Sequence, residues 1–355
     1  MNNCLGLNEG NHWTLTAKLN SLKKHILVTG ATGFIGQALC KKLLEKGFPV
    51  RGTGRSIERI KKLPSRVEPV KMDLIDQNTD WSQALDGIDV VFHLAARVHV
   101  MDDKEANPLK AFREVNVAST KKMAEDAAAA GVKRMVFVSS IKVNGEGKSM
   151  EYTEYDIENP LDPYGVSKWE AEQELGKIAD KTGMEMVIIR TPLVYGPGVK
   201  GNFLQLLKIA SLGIPLPLAN IDNQRSFIYV GNLVNSLVSC ACNPEAASKT
   251  FLICDGKNIS TPELMKMIAQ TFKRPLRIFP LPFFLIRWVG KLLGKSPAID
   301  RLWGSLTIDS SKLQRDLDWK PVYTMEEGIQ ETVKWYIHSQ KTERPGWNFF
   351  RNLIK

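Results

Sequence analysis

No apolar run in this 355-residue chain approaches the ~18–20 residues that a membrane-spanning helix needs, so no transmembrane helix is expected. Residues 1–22 lack a charged start followed by an apolar stretch and read as a short extension, not a signal peptide. Cysteine is sparse and odd in number: Cys4, Cys40, Cys240, Cys242 and Cys254 form neither a disulfide framework nor paired metal ligands. The five histidines show no ligand spacing. No metal site is therefore expected, and free thiols suit a reducing cytoplasm. Repeats and low-complexity tracts are absent, and no Lys/Arg block of the kind that grips nucleic acid interrupts the chain. Hydrophobic residues make up 43% and charged residues 24%, the balance of a globular protein of about two domains. The net charge of +10 leaves room for an acidic partner, a phosphorylated substrate or anionic lipid.

What is present is an alternation. Short apolar strands are expected at His25–Val28, Phe48–Thr53, Val67–Leu74, Asp89–Ala95, Arg134–Ser140 and Met186–Arg190. Helical patterns separate them, the longest over residues 106–130 and 164–181. Unbroken apolar strands interleaved with helices predict an α/β fold, a doubly wound parallel sheet of Rossmann type. Prolines and glycines crowd after Thr191, which places a Rossmann domain over 23–192 and a smaller mixed α/β domain, partly interleaved with it, over 193–343. A basic, aromatic tail occupies 344–355. Ser260–Glu263 and Thr324–Glu327 fit capping boxes that open later helices.

Between the first strand and first helix lies Thr29-Gly-Ala-Thr-Gly-Phe-Ile-Gly36. Gly30, Gly33 and Gly36 allow a dinucleotide pyrophosphate to approach the backbone and rest on the helix N-terminus, with Phe34 and Ile35 in the same turn. Downstream, Tyr164 and Lys168 stand four residues apart on one helical face. A phenol near pKa 10 is a poor base at neutral pH; a nearby ammonium and a cationic nicotinamide would stabilise its phenolate.

Together these motifs resemble the extended short-chain dehydrogenase/reductase superfamily, specifically its UDP-glucose 4-epimerase-like, nucleotide-sugar-modifying group. The likeness runs from about Lys24 to Tyr336. It implies Tyr164, Lys168 and Ser140 as catalytic residues, with Ser140 and Tyr164 also touching substrate. It further implies that Asp73 contacts adenine, that Leu94, Ala95 and Ala96 line the cofactor, and that Asn116 supports the site. Pro192 falls in the exit of the sixth strand, whose backbone meets the carboxamide end of the dinucleotide. Asn202, Phe203 and Arg225 lie in segments resembling those that hold the diphosphate of a UDP-sugar. A homodimer through the helices at 106–130 and 164–181 is also implied.

Gly54 stands where NAD binders of this group carry an acid, with Arg55 next to it and Arg51 close by. An uncharged gap beside guanidinium favours NADP over NAD. Ser140-Ile-Lys142 replaces the Thr-Asp-Glu of 4,6-dehydratases, so the carboxylates for elimination are missing. Two reactions at sugar C4 remain. A C4-reductase of a UDP-4-keto-6-deoxy-N-acetylhexosamine, in O-antigen or other surface-polysaccharide synthesis, is favoured by Gly54. Arg97–Met101 and Pro215–Pro217 also resemble such enzymes. The alternative is a 4-epimerase of UDP-glucose, UDP-N-acetylglucosamine or a polyprenyl-diphosphate-linked sugar. Leu193 departs from the Asn of UDP-galactose epimerases. A non-catalytic dinucleotide sensor is the remaining reading, against which the joint retention of Ser140, Tyr164 and Lys168 speaks. Arg287, Lys291 and Lys295 form a cationic stripe in an otherwise apolar stretch at 282–295. That pattern fits either a helix over the sugar pocket or peripheral contact with the inner face of an anionic membrane.

Overall fold

The computed structural model describes residues 24–72, 76–98, 107–148, 150–282, 284, 287 and 303–343. Asp73, the extension at 1–22, the tail at 344–355 and most of the 282–295 stretch lie outside these residues. Seven strands form one parallel sheet: β1 (Ile26–Thr29), β2 (Val50–Gly54), β3 (Val67–Lys71), β4 (Val90–His93), β5 (Arg134–Ser140), β6 (Glu185–Thr191) and, from far along the chain, β9 (Thr250–Leu252). Their order is β3-β2-β1-β4-β5-β6-β9, the doubly wound Rossmann arrangement with one added edge strand. β7 (Leu193–Tyr195) and β8 (Phe227–Tyr229) pair in a separate parallel ribbon.

Each predicted strand appears, its ends moved by up to three residues, because short apolar runs mark strands well and their ends poorly. Side chains of β5 show why the runs are unbroken. Val136 enters one apolar layer, with Leu39, Leu43 and Leu237, while Met135 and Phe137 enter the other, with Trp81, Met123 and Leu175. Both faces are covered, so neither can be polar.

The helices of interest are α1 (Phe34–Glu45), the short α2 (Ile57–Ile60) and α3 (Ser82–Leu85), α4 (Pro108–Arg113), α5 (Ser119–Ala129) and α6 (Pro163–Thr182). Beyond them come α7 (Gly201–Leu212), α8 (Val230–Cys242), α9 (Thr261–Thr271), α10 (Ser311–Leu317) and α11 (Met325–Glu343). Both capping boxes form. Ser260 and Glu263 exchange bonds at the start of α9, as do Thr324 and Glu327 before α11.

The helix expected across 106–130 is interrupted by a π-helical turn at Glu114–Ala118. Such bulges rotate one residue out of the regular stripe; here Asn116 is that buried residue. Among the described residues, no helix is long and apolar enough to cross a membrane. Cys40, Cys240 and Cys254 are buried, and burial pushes the thiols of Cys40 and Cys240 up to about 12.

Candidate active site

The strand order reverses between β1 and β4, where an open α/β sheet forms its binding crevice. The glycine turn follows β1 on one side of this switch point. A Cβ on Gly36 would stand 2.2 Å from the Gly30 carbonyl oxygen, and one on Gly30 would stand 3.0 Å from the Ala95 nitrogen. Gly30 also has φ +67°. The turn is therefore a cradle into which side chains cannot intrude, with the N-terminus of α1 opening onto it. Those features fit a dinucleotide pyrophosphate. Phe34 lies beside Gly198, where an added Cβ would stand 3.4 Å from its ring, so the turn meets the loop that leaves β7.

The backbone after β4 is held from two sides. Leu94 and Ala95 N–H groups donate to Thr29 Oγ1 at 3.1 and 3.2 Å, while Ala96 follows them along the crevice. With two donors on its oxygen, the Thr29 hydroxyl proton points to His93 Nδ1 at 2.9 Å, leaving Nε2–H for Thr120 at 3.0 Å. His93 is buried and neutral. Burial and the Lys168 charge push its pKa down to about 3. Asn116 completes the clamp, accepting from Arg97 N–H at 2.8 Å and donating to the Arg97 carbonyl and to Ser167 Oγ, each at 3.0 Å.

Tyr164 and Lys168 stand on α6, which Asp162 caps by accepting the Gly165 N–H at 2.7 Å. A Cβ on Gly165 would meet the Lys142 carbonyl at 2.9 Å, so α6 presses its first turn against residues 141–143. That approach brings Tyr164 near Ser140 at the end of β5, close enough for the Ser140 hydroxyl to favour the phenolate. Phe112 packs edge-on against the Tyr164 ring, centroids 6.0 Å apart.

Burial pushes the phenol up to about 12, the Asp162 charge adds to that, and the nearby Ser140 hydroxyl opposes it. Lys168 is 2% exposed, and burial pushes its ammonium down to about 7 against the favourable charge of Glu172. Its Nζ lies 3.8 Å over the Phe137 ring and, among the described residues, makes no hydrogen bond. In the chain alone, desolvation dominates both groups, and Lys168 is not among the groups that shift Tyr164.

Several residues stand elsewhere than expected. Arg51 is turned away from the crevice: Nη1 donates to the carbonyls of Gln83, Ala84 and Asp86, and Nε pairs with Glu68 at 3.0 Å. It is not available for a 2′-phosphate. Arg55 is exposed. Gly54 is closed to side chains, since a Cβ there would stand 2.6 Å from Thr32 Cγ2 in the glycine turn.

Pro192 is buried directly after Thr191, the register partner of Ser140. Asn202 opens α7 half-buried, but Phe203 is 0% exposed and stacks on Tyr195 with centroids 5.0 Å apart. As a substrate side chain Phe203 is a correction: it is core, because the first turn of α7 points it inward. Arg225 is partly buried, with Nη1 held by the Gly304 carbonyl at 2.7 Å. Lys142 pairs with both Asp162 and Glu146, and Ile141 is 2% exposed. No carboxylate takes the two positions where a dehydratase carries acids.

Sequence reading missed a buried network behind the site. Glu172 accepts the Ser139 hydroxyl at 2.5 Å and the Arg190 guanidinium at 2.6 Å. Arg190 also reaches Asn144 and Glu158. The available signal was a helical stripe of Lys168, Ala171, Glu172 and Leu175, in which two charges take positions suited to apolar residues.

The sequence model of the family described as "NAD dependent epimerase/dehydratase family" matches residues 26–254. A UDP-glucose 4-epimerase of Vibrio cholerae is 42% identical over 323 residues, covering 90% of this chain and 97% of that protein. An N-acetyl-alpha-D-glucosaminyl-diphospho-ditrans,octacis-undecaprenol 4-epimerase of Escherichia coli O157:H7 is 26% identical, covering 91% and 98%. Among solved structures, MoeE5 in complex with UDP-glucuronic acid and NAD superposes with a TM-score of 0.71 at 26% identity, covering 89% and 99%. A UDP-glucuronic acid 4-epimerase of Bacillus cereus superposes at 0.73 with 23% identity and the same coverage, a likeness of fold.

Proposed function

Because the chain belongs to the NAD dependent epimerase/dehydratase family, we propose that it is a nucleotide-sugar 4-epimerase, inverting C4 of a UDP-hexose. The observation that carries this reading is Tyr164 beside Ser140 at the end of β5, with Lys168 buried one turn further along α6. The 42% likeness to a UDP-glucose 4-epimerase over nearly its whole length supports epimerase over reductase.

Gly30, Gly33, Phe34, Ile35 and Gly36 would hold the pyrophosphate of a nicotinamide dinucleotide, with Leu94–Ala96 and Pro192 along its length. When bound, that group supplies an acceptor and donor of hydride and a positive ring. Tyr164 Oη takes the proton of the C4 hydroxyl and later returns it, with Ser140 Oγ orienting the same oxygen. The species that takes this proton is the phenolate, regenerated when the proton is returned, and Lys168 would add positive charge beside it. Asn116 keeps the crevice wall and α6 in register, and Phe112 keeps water from the Tyr164 ring. Asn202 and Arg225 hold the diphosphate, the guanidinium offering charge-assisted bonds to phosphate oxygens. A diphosphate on a polyprenyl carrier presents the same group to these residues.

A second reading is the NADPH-dependent C4-reductase. It is favoured by the closed Gly54 position, which admits no ribose-binding acid, and by exposed Arg55 beside it. A homodimer is proposed through the outer face of the π-turn, α5 and α6, where Val117 and Ala118 of the turn lie in a groove rimmed by Lys121 and Glu174.

The deciding experiment incubates purified protein with UDP-glucose or UDP-N-acetylglucosamine and no added cofactor. Steady formation of the galacto isomer without net dinucleotide turnover is expected. An inert protein that consumes NADPH only with a 4-keto sugar establishes the reductase instead.

A further inference from the structure

The chain's positive charge is concentrated. Nine of its 48 Lys and Arg fall within residues 200–221 and 264–299, two stretches without a single Asp or Glu, and the remaining 39 are almost matched by 38 acids. The stretches are far apart in sequence, but their described segments 212–221 and 274–282 lie side by side in the fold. Leu216 N–H donates to the Arg277 carbonyl at 2.8 Å, Phe279 N–H donates to Leu216 at 3.0 Å, and Asn220 reaches the Leu281 carbonyl at 3.2 Å.

The surface they build is apolar as well as basic. Leu212 is 62% exposed, Ile214 46%, Phe279 41% and Phe284 69%. Around them Lys208, Lys273, Arg274 and Arg277 are exposed. Leu212, Ile214 and Phe279, left in water on these paired segments, mark a surface that meets something else. Rings and aliphatic chains interleaved only with cations suit a bilayer interface carrying anionic headgroups. A partner protein of mixed charge would not call for the exclusion of every acid from both stretches. The patch also sits at the C-terminal end of α7, one helix length, about 18 Å, from Asn202 at the other end.

We infer that this face, the end of α7 with the paired segments 212–219 and 274–282, docks the protein on an anionic lipid surface. Arginine and lysine supply the attraction, and the exposed apolar side chains enter the headgroup boundary. The inference does not depend on which sugar reaction the active site performs.

The test is co-sedimentation of the full-length protein with two kinds of vesicle, phosphatidylcholine alone and phosphatidylcholine mixed with phosphatidylglycerol. Binding is expected only to the anionic vesicles, and is expected to vanish in about 1 M salt, where the Debye length falls to about 3 Å. The double variant Arg274→Glu/Arg277→Glu should lower the bound fraction more than about tenfold with an unchanged melting curve. Leu212→Ser should weaken binding less. Should the double variant fail to fold, Lys208→Glu on α7 tests the same face with the same direction. Three results overturn the inference: no binding to anionic vesicles; binding that these charge reversals leave intact; or charge reversal that changes the oligomeric mass, which makes the face a contact between copies. Retention on duplex DNA that Leu212→Ser leaves unaltered, without vesicle binding, would point to a polyanion instead.

Discussion

Arg190 Nη2 and Glu172 Oε2 lie 2.6 Å apart with 4% of each side chain exposed. Through that pair one carboxylate ties three parts of the site: α6, which carries Tyr164 and Lys168; β5, through Ser139 next to Ser140; and β6, which leads into Pro192. Removing one partner of a buried pair strands the other charge, at a cost of about 3–5 kcal/mol. Glu172→Gln and Arg190→Met should each lower the denaturant midpoint, and the double variant should lose clearly less than their sum. Additive losses in chemical denaturation would show that the two residues do not act as a unit.

Tyr164→Phe removes the oxygen that carries the proton while keeping the ring against Phe112. Turnover of the UDP-sugar should fall by about 10²–10⁴-fold, with the melting temperature and dinucleotide binding retained. Intact turnover in this variant would end the proposed mechanism.

Burial brings Lys168 down to about 7 from an ordinary 10.5. The folded chain therefore releases its proton earlier than the unfolded chain does. Between about pH 7 and 10.5 the unfolded state holds more protons, so this group's penalty shrinks as pH rises. Lys168→Met should gain most over the native chain at or below pH 7, and that advantage should decline toward pH 10.5. Urea titrations at three pH values measure it; an advantage that grows with pH contradicts the burial argument.

Two glycines give opposite expectations. Gly36→Ala would press a Cβ to 2.2 Å from the Gly30 carbonyl, so it should abolish dinucleotide binding and destabilise the fold. Gly176→Ala lies within α6 with nothing inside 4 Å, and should stabilise by about 0.5–1 kcal/mol. Dinucleotide titration and thermal melts of both variants compare them directly.

Arg55→Ala separates the cofactor readings. If a 2′-phosphate rests on this guanidinium, affinity for NADPH should drop about tenfold or more while affinity for NADH holds. Equal effects on both, measured by fluorescence titration, would leave Arg55 as a solvated surface residue.

The sequence by itself determined the parallel sheet, the glycine turn, the two capping boxes and the Tyr164–Lys168 pairing. These features depend on backbone hydrogen bonding, steric room and periodicity acting over a few residues, and such rules are legible locally. The tertiary structure decided the rest. Arg51 could be assigned only once α3 and Asp86 just after it supplied three carbonyls to it, and Phe203 only once Tyr195 and Phe227 enclosed it. Asn116, implied in the site by resemblance, is turned inward by a π-turn that the helical periodicity does not mark. The partners of Glu172 lie 18 and 33 positions away, brought together by sheet register. What a buried charge meets is set by which strands become neighbours, and that choice is made by packing across the whole fold.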